Sequence, residues 1–272
     1  MSDIDRTATK RVPMDSLRKT SLAAGILYLI TFVSIPTLAL YAQVKGLNYI
    51  VGSGPDTRMF IAGVLEMIVA LAAIGTAVAL YPVVKRQNEG VALGFVGVRT
   101  LEAGTIFAGV ASLLAVVALR QAGAGASALA TGQALVGVYD GMFLIGQSTL
   151  PAVNAVLLGY LLYKSRLVPR ILPVLGFIGA PLLLASVAAR VWDIGGQPSK
   201  LWALAAIPIA LWELSLGVYL TVKGFKPSPI TTAITAEGFK PNPLTARPSP
   251  ITAGTTATGT RGGCQDPAVC PV

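Results

Sequence analysis

The stretch LWALAAIPIALWELSLGVYLTVK, residues 201–223, decides the fold class because it is apolar over the length of a membrane crossing and yet contains one acid. A transmembrane helix needs about 20 apolar residues to cross about 30 Å of hydrocarbon. Glu213 has twelve residues before it and nine after it within residues 201–222. No placement of such a helix brings its carboxyl group to an interface, so we predict that Glu213 is either protonated or paired inside the membrane.

Five further apolar runs of similar length precede this one, and together they predict six transmembrane helices. The six runs are residues 21–43, 59–84, 93–119, 139–163, 171–192 and 201–222. The chain is 54% hydrophobic and 12% charged, whereas soluble domains carry about 25% charged residues. Each run is far longer than the strand of about 9–11 residues that a membrane barrel uses. We therefore predict an all-α, polytopic bundle of six transmembrane helices.

The distribution of positive charge predicts the orientation of this bundle. Near the helix ends, twelve Lys and Arg residues fall on the side of both termini and five on the opposite side. Positive residues collect in the cytoplasm, so both termini are predicted to be cytoplasmic. The net charge of +9 is then a topology signal and does not indicate nucleic-acid binding. The predicted partner is the lipid bilayer, and a homo-oligomer or a membrane partner protein is left open.

Polar segments flank the predicted transmembrane domain, which spans residues 20–224. Residues 1–19 form a polar N-terminal segment. The apolar run that follows is too long for the core of a signal peptide and no small-x-small cleavage site follows it, so the first helix is predicted to be retained.

The C-terminal segment, residues 225–272, is rich in Pro and Thr and repeats itself. GFKPSPIT at 224–231 recurs as GFKPNPLT at 238–245. This composition predicts a disordered tail, because it offers little apolar area to offset the entropy of ordering. Cys264 and Cys270 in the tail are predicted to be free thiols, since cytoplasmic thiols are kept reduced.

Charged and amide side chains in three of the apolar runs predict a polar cluster. Within VGVRTLEAGTIF, residues 96–107, Arg99 and Glu102 stand three apart and so share a helix face. Helical rise places Asn154 level with Glu213 and leaves both within reach of the long Arg99 side chain. We predict that these four residues form an intramembrane cluster. It serves either as a structural clamp between helices or as a site that handles a ligand or a proton.

Weaker signals lie elsewhere in the apolar runs. Glu66 is a secondary site candidate that we expect near the external edge, because the second helix can slide to leave residues 67–84 in the hydrocarbon. Three polar residues are predicted to be helix–helix contacts: Thr31, Thr105 and Gln147. Four prolines are predicted to interrupt helices: Pro36, Pro151, Pro181 and Pro208. Four glycines are predicted to allow close packing of the third helix: Gly94, Gly97, Gly104 and Gly109.

The residue types that most enzymes use are missing from the sequence. The chain has no histidine, which excludes Ser-His and Cys-His pairs and His-metal sites. GQSTL around Ser148 lacks the closing glycine of a nucleophile elbow, and there is no glycine-rich phosphate loop. We predict no catalytic residue, no cofactor and no metal, which argues against an enzyme.

Several stretches together resemble the bacterial membrane family named domain of unknown function 4386. They are GILYLITFVSIP at 25–36, VRTLEA at 98–103, LLYKSRLVPRILPVLGFIGAPLLL at 161–184 and IPIALWELSLGVYLTVKGF at 207–225. The resemblance covers about residues 18–226 and implies a six-helix integral membrane protein of bacteria with no assigned activity. The repeated tail departs from the family pattern.

The sequence therefore predicts a multi-pass protein of the bacterial cytoplasmic membrane. The role it favours is an accessory or regulatory membrane protein with a buried Arg/Glu cluster. The alternative is a small-solute or proton-coupled carrier or channel subunit. Six helices are few for a carrier, and the two halves show no convincing internal repeat of the kind transporters often have.

Overall fold

The computed structural model describes residues 15–192 and 198–236, with only the backbone described for 198–203. Over these residues the chain is helical and forms no strand. The α-helices are α1 Ser16–Ile30, α2 Thr37–Leu40, α3 Thr57–Val84, α4 Glu89–Gln121, α5 Leu129–Phe143, α6 Leu150–Ser165, α7 Ile171–Val191, α8 Pro198–Val222 and α9 Pro229–Ala236. Short 3-10 helices occupy Thr31–Ser34 and Ala126–Ala128, and a π-helix occupies Leu144–Thr149. The predicted free thiols and the second copy of the tail repeat lie outside the described residues.

Six helical stretches of the described chain are long and apolar enough to cross a membrane, which confirms the predicted six-helix architecture. They are Ser16–Leu40, Thr57–Val84, Glu89–Gln121, Ala126–Ser165, Ile171–Val191 and Leu204–Val222. The outward faces are apolar: Leu71 and Val78 on α3 and Leu204 on α8 are all more than 60% exposed. Such side chains suit contact with lipid tails.

The fourth span is longer than the sequence predicted. Its helical run begins at Ala126 and not near residue 139, and it covers 40 residues through the π-helix to Ser165. The added part is rich in Gly and Ala, which weakens its hydropathy signal. Small residues let it pack closely, however: a Cβ placed on Gly132 would lie 3.3 Å from Ile50 Cγ1.

The first span is broken near its end. α1 stops at Ile30, a 3-10 helix follows, and Pro36 precedes the short α2. Proline has no backbone N–H to continue the helical bonding. Hydroxyl groups take up carbonyls of the broken segment instead, as when Thr31 Oγ1 donates to Tyr28 O at 2.6 Å. This break becomes a wall of the cavity described below.

The other predicted proline and glycine effects are only partly correct. Pro151 lies at the start of α6, after the π-helix. Pro181 and Pro208 lie inside α7 and α8, which continue past them, so the predicted interruption is wrong there. Among the α4 glycines, Gly97 and Gly104 have no neighbour within 4 Å of an added Cβ, so they do not serve close packing.

Helices α1 and α8 approach each other closely. A Cβ on Gly25 would lie 2.6 Å from the backbone N of Thr221 and 2.8 Å from Gly217 O. At the end of α8, Arg18 donates from Nη2 to Thr221 O at 2.6 Å and from Nη1 to Leu220 O at 3.0 Å. A guanidinium there satisfies carbonyls that have no intrahelical partner. These contacts join the first and last spans.

The beginning of the predicted disordered tail is helical. α9 covers Pro229–Ala236, and Ser228 and Thr231 bond reciprocally at its start, with Ser228 N donating to Thr231 Oγ1 at 2.8 Å. Ile234 is buried against the core. Residues from 237 onward, and residues 1–14 of the N-terminal segment, lie outside the described part of the chain.

A polar clasp joins the loop before α3 to the end of α4. Arg120 Nη1 pairs with Asp56 Oδ1 at 2.6 Å, Gln121 Nε2 donates to Asp56 Oδ2 at 2.9 Å, and the Tyr49 hydroxyl donates to the same carboxylate. Burial acts to raise the pKa of Asp56, but the hydrogen bonds from Tyr49 and Gln121 and the charge of Arg120 outweigh it and hold that pKa below its usual value.

Substitution of Gly25 tests the α1–α8 contact. We expect Gly25→Ala to lower the free energy of unfolding by about 1–3 kcal/mol, because the new methyl group overlaps the α8 backbone. Gly104→Ala is the matched control, since open space surrounds it. Unfolding is measured in detergent by circular dichroism against denaturant. Equal effects of the two substitutions would contradict the close approach.

The Asp56 clasp predicts a pH dependence of stability. The Asp56 pKa is lower in the folded than in the unfolded chain, where it is about 3.9, so ionisation of this carboxyl stabilises the fold above that value. This stabilisation is lost as the pH falls through the lower, folded value. The melting-temperature difference between wild type and Asp56→Asn should therefore shrink from about pH 6 to pH 3. A difference that stays constant over this range counts against the clasp.

Candidate functional site

The first of two buried polar clusters centres on Arg99. Its Nη2 pairs with Glu213 Oε1 at 2.8 Å, and its Nη1 lies 3.2 Å from both carboxylate oxygens of Glu102. Nη2 also donates to the Tyr28 hydroxyl at 3.3 Å, and the guanidinium carbon lies 5.3 Å from the centroid of the Tyr28 ring. The Arg99 side chain is 3% exposed. It does not extend to the membrane edge.

Asn154 completes this cluster through Glu102. Its Nδ2 donates to Glu102 Oε2 at 2.7 Å. The structure thus brings together all four residues that the sequence grouped, and Asn154 joins them by its hydrogen bond to Glu102. We call Tyr28, Arg99, Glu102, Asn154 and Glu213 the Arg99 cluster.

The Arg99 cluster connects four helices. Tyr28 comes from α1, Arg99 and Glu102 from α4, Asn154 from α6 and Glu213 from α8. A buried charge without partners is very costly in a medium of low dielectric constant, whereas paired and hydrogen-bonded charges are tolerated. Each of these helices therefore has to keep the register that brings its polar group to Arg99.

The polar atoms of the cluster that lack a hydrogen-bond partner differ in their accessibility. Arg99 Nε and Asn154 Oδ1 have no hydrogen-bond partner and almost no accessible surface. The Glu213 side chain, by contrast, is 17% exposed. Its Oε1 pairs with Arg99, while its Oε2 has no donor among the described residues. Glu213 Oε2 is thus the acceptor that the cluster leaves available.

The second cluster surrounds Glu66 in α3. Tyr139 and Tyr41 donate their hydroxyls to Glu66 Oε1 at 3.0 Å and Oε2 at 3.1 Å, and Gln147 Nε2 donates to Oε1 at 3.2 Å. Glu66 is 1% exposed and lies nine residues into its helix, about 14 Å by helical rise. The structure thus buries Glu66 among three donors inside the bundle.

A cavity of about 240 Å³ lies between the two clusters. Arg99, Glu102 and Glu213 line one part of it, and Gln147, which holds Glu66, lines another. The remaining wall is mostly apolar and comes from the broken first span, α3, α4, the end of α5, α7 and α8. Its members include Phe32, Ile35, Leu38, Val69, Ile106, Phe143, Leu183 and Ile209.

The family of the chain follows from a comparison with family models. The family described as Domain of unknown function (DUF4386) matches residues 23–224. The chain belongs to this family. The matched region holds both polar clusters of this DUF4386 protein and the cavity between them. No curated protein and no solved structure shows significant similarity to the chain.

The sequence did not point to the tyrosines of this DUF4386 protein. Tyr28, Tyr41 and Tyr139 all bond buried charged groups. An amphipathic ring is common in membrane helices and gives no signal of its own. A tyrosine acquires this role only when folding sets its hydroxyl beside an acid or a guanidinium.

The polar residues predicted as helix–helix contacts behave differently from one another. Gln147 does reach across to α3 through Glu66. Thr31 and Thr105 instead donate to carbonyls three residues earlier in their own chain segment. Thr105 also packs against Gly146, where an added Cβ would lie 2.9 Å from the Thr105 Cβ. Among the described residues, no group of three Asp, Glu or Cys side chains is placed to hold a metal ion.

The ion pairs of the Arg99 cluster predict strong coupling in stability. Arg99→Met leaves two buried carboxyls without their cation and should lower the free energy of unfolding by about 3–5 kcal/mol. Arg99→Met combined with Glu102→Gln and Glu213→Gln removes all three charges and should recover most of that loss. Arg58→Met, at an exposed arginine, is the control. Denaturant unfolding in detergent measures all four proteins, and a triple variant no more stable than Arg99→Met argues against the pairing.

Proposed function

We propose that the chain binds a small solute inside the bundle and acts as a small-solute or proton-coupled carrier or channel subunit. The observation that carries this proposal is that Arg99 and Glu213 line the same cavity. A charged cluster that served only to hold helices together would gain nothing from an open face. Ionisable groups inside membranes typically mark the paths of ions, protons and substrates.

The location of the cavity supports the same proposal. It lies beside the break in the first span and beside the π-helix at Leu144–Thr149. Irregular backbone at membrane depth is tolerated where it lines a cavity, and π-helices occur frequently at functional sites.

An accessory or regulatory membrane protein is the second candidate, and one observation favours it. Both Nη atoms of Arg99 already have partners within the chain, as they would in a clamp that needs no ligand. Under this proposal the bundle docks a membrane partner protein or a second copy, and the cluster only maintains the helix register.

The orientation in the membrane is part of the proposal. Basic residues at the ends of the spans support cytoplasmic termini. The family resemblance supports a bacterial cytoplasmic membrane. We propose residues 20–224 as the transmembrane domain, with residues 1–19 and 225–272 extending from it.

Cysteine labelling next to Glu213 separates the two candidates. Ala210 lines the cavity, and its neighbour Leu211 is 50% exposed on the outside of α8. In a background with Cys264→Ser and Cys270→Ser, we expect Ala210→Cys to react with a small methanethiosulfonate at least about tenfold faster than Leu211→Cys, because only a hydrated thiol ionises. Labelling is followed by mass spectrometry. An unreactive Ala210→Cys would favour the clamp.

A further inference from the structure

We propose that the cavity binds a small organic cation with an apolar body, and that this cation takes the place of a proton that the carboxyl pair of the Arg99 cluster otherwise holds. The inference rests on the proposed function, since it names the class of solute that the cavity holds. It follows from the charge of the Arg99 cluster, the atom that this cluster leaves free and the nature of the cavity wall.

The charges in the cluster do not balance. The titratable groups around Glu213 are Arg99 and Glu102 of α4 and Tyr28 of α1. One guanidinium faces two carboxyls, and the tyrosine and Asn154 are neutral. With both carboxyls ionised, the cluster carries one excess negative charge in a medium that tolerates none. A proton or a cation has to neutralise it, whereas an anionic ligand would double the imbalance.

The free acceptor lies where a ligand can reach it. Glu213 Oε2 has no donor among the described residues, and Glu213 lines the cavity. The N–H groups of Arg99 are not available to a ligand. Both Nη atoms already donate hydrogen bonds within the chain, and Nε has almost no accessible surface. A ligand in the cavity therefore meets a carboxylate oxygen and no free guanidinium donor.

The apolar part of the cavity wall favours a ligand with an apolar body. Phe32, Ile106, Phe143, Leu183 and Ile209 face the cavity. Its volume of about 240 Å³ exceeds the 150 Å³ of an engineered cavity that binds benzene and lies near the lower end of small-molecule sites. One ring with a small ammonium head matches this size.

The wall also reaches the outer surface of the bundle. Ile35 and Leu38 line the cavity and are 64% and 56% exposed. They lie on either side of Pro36, close to the end of the first span at Leu40. In the orientation proposed above, this part of the wall faces the leaflet on the side opposite the termini. A ligand that partitions into the bilayer can approach the cavity by this route, and that also requires an apolar body.

Exchange follows from the excess negative charge of the cluster. In the empty site one proton shared by the two carboxyls, Glu102 and Glu213, balances the single guanidinium, and in the occupied site the ammonium does so. Binding then releases the proton, and acid weakens binding because the proton competes with the cation for the same negative charge. No covalent bond of the ligand changes.

The test uses three matched probes with the Ala210→Cys protein. They are benzyltrimethylammonium, its neutral isostere 2,2-dimethylpropylbenzene and the anion 3-phenylpropanoate. We expect saturating benzyltrimethylammonium to slow methanethiosulfonate labelling at least about tenfold and the other two to have little effect. Equal protection by the neutral isostere, or protection by the anion alone, overturns the inference.

Proton release tests the exchange with the full chain in lightly buffered detergent. Wild type and the control Glu89→Gln, an exposed acid at the start of α4, should release about one proton per cation bound, and Glu213→Gln should release none. If Glu213→Gln does not fold, wild type alone decides: its affinity for the cation should fall by up to about tenfold per pH unit in acid. A flat pH profile without proton release overturns the exchange.

The labelling experiment distinguishes failure of the solute-binding function from failure of the cationic ligand class. If Ala210→Cys does not react in the absence of any probe, the solute-binding function itself fails. If Ala210→Cys reacts but benzyltrimethylammonium does not protect it, the accessible cavity stands and the cationic ligand class fails.

Discussion

A guanidinium held between two carboxylates, in a span surrounded by hydrocarbon, is the interaction on which the rest of this structure depends. Water cannot solvate Arg99 at that position, so its partners have to come from the protein. They come from α1, α4 and α8, and Asn154 of α6 joins them through Glu102, so each of these groups constrains the rotation and depth of its own helix. The packing of α1 on α8, with Gly25 against the α8 backbone, brings the Tyr28 and Glu213 side chains to the same guanidinium.

The cavity supports the proposal that this interaction does more than hold the helices together. A clamp made only for stability needs no open face and no excess charge. In the Arg99 cluster the Glu213 side chain is 17% exposed and lines the cavity, and one guanidinium faces two carboxyls, so a proton or a cation has to complete the charge balance. The Glu66 cluster contributes in a different way, since three neutral donors hold its carboxyl and one of them, Gln147, also lines the cavity. Glu213 thus lines the cavity directly, whereas Glu66 is connected to it only through Gln147.

Much of the fold and the centre of the site could be predicted because burying a charge in a membrane has a high free-energy cost. The cost of burying Glu213 made it conspicuous within residues 201–223, and the three-residue spacing of Arg99 and Glu102 suggested a shared face. Asn154 was predicted to belong to the site because helical rise places it at the same depth as Glu213. The tyrosines could not be found in this way, because a phenol in a membrane helix has no such cost and its role depends on which acid folding brings to it. Gly97 and Gly104 show the converse: small residues allow close packing only where a neighbouring helix actually approaches.

By itself, the sequence determined that the chain forms six helices long and apolar enough to span a membrane, because the runs are too long for barrel strands and a helix satisfies its own backbone groups in lipid. It also determined that Glu213 needs either a proton or a partner, because no slide of its helix brings the carboxyl to water. The tertiary structure alone decided that Arg99 is this partner, that Tyr28 joins it and that Glu66 lies buried among Tyr41, Tyr139 and Gln147. It alone decided, too, that a cavity separates the two clusters. These features depend on helix rotation and on breaks such as that at Pro36, which arise from packing between distant segments and leave no periodic trace along the chain.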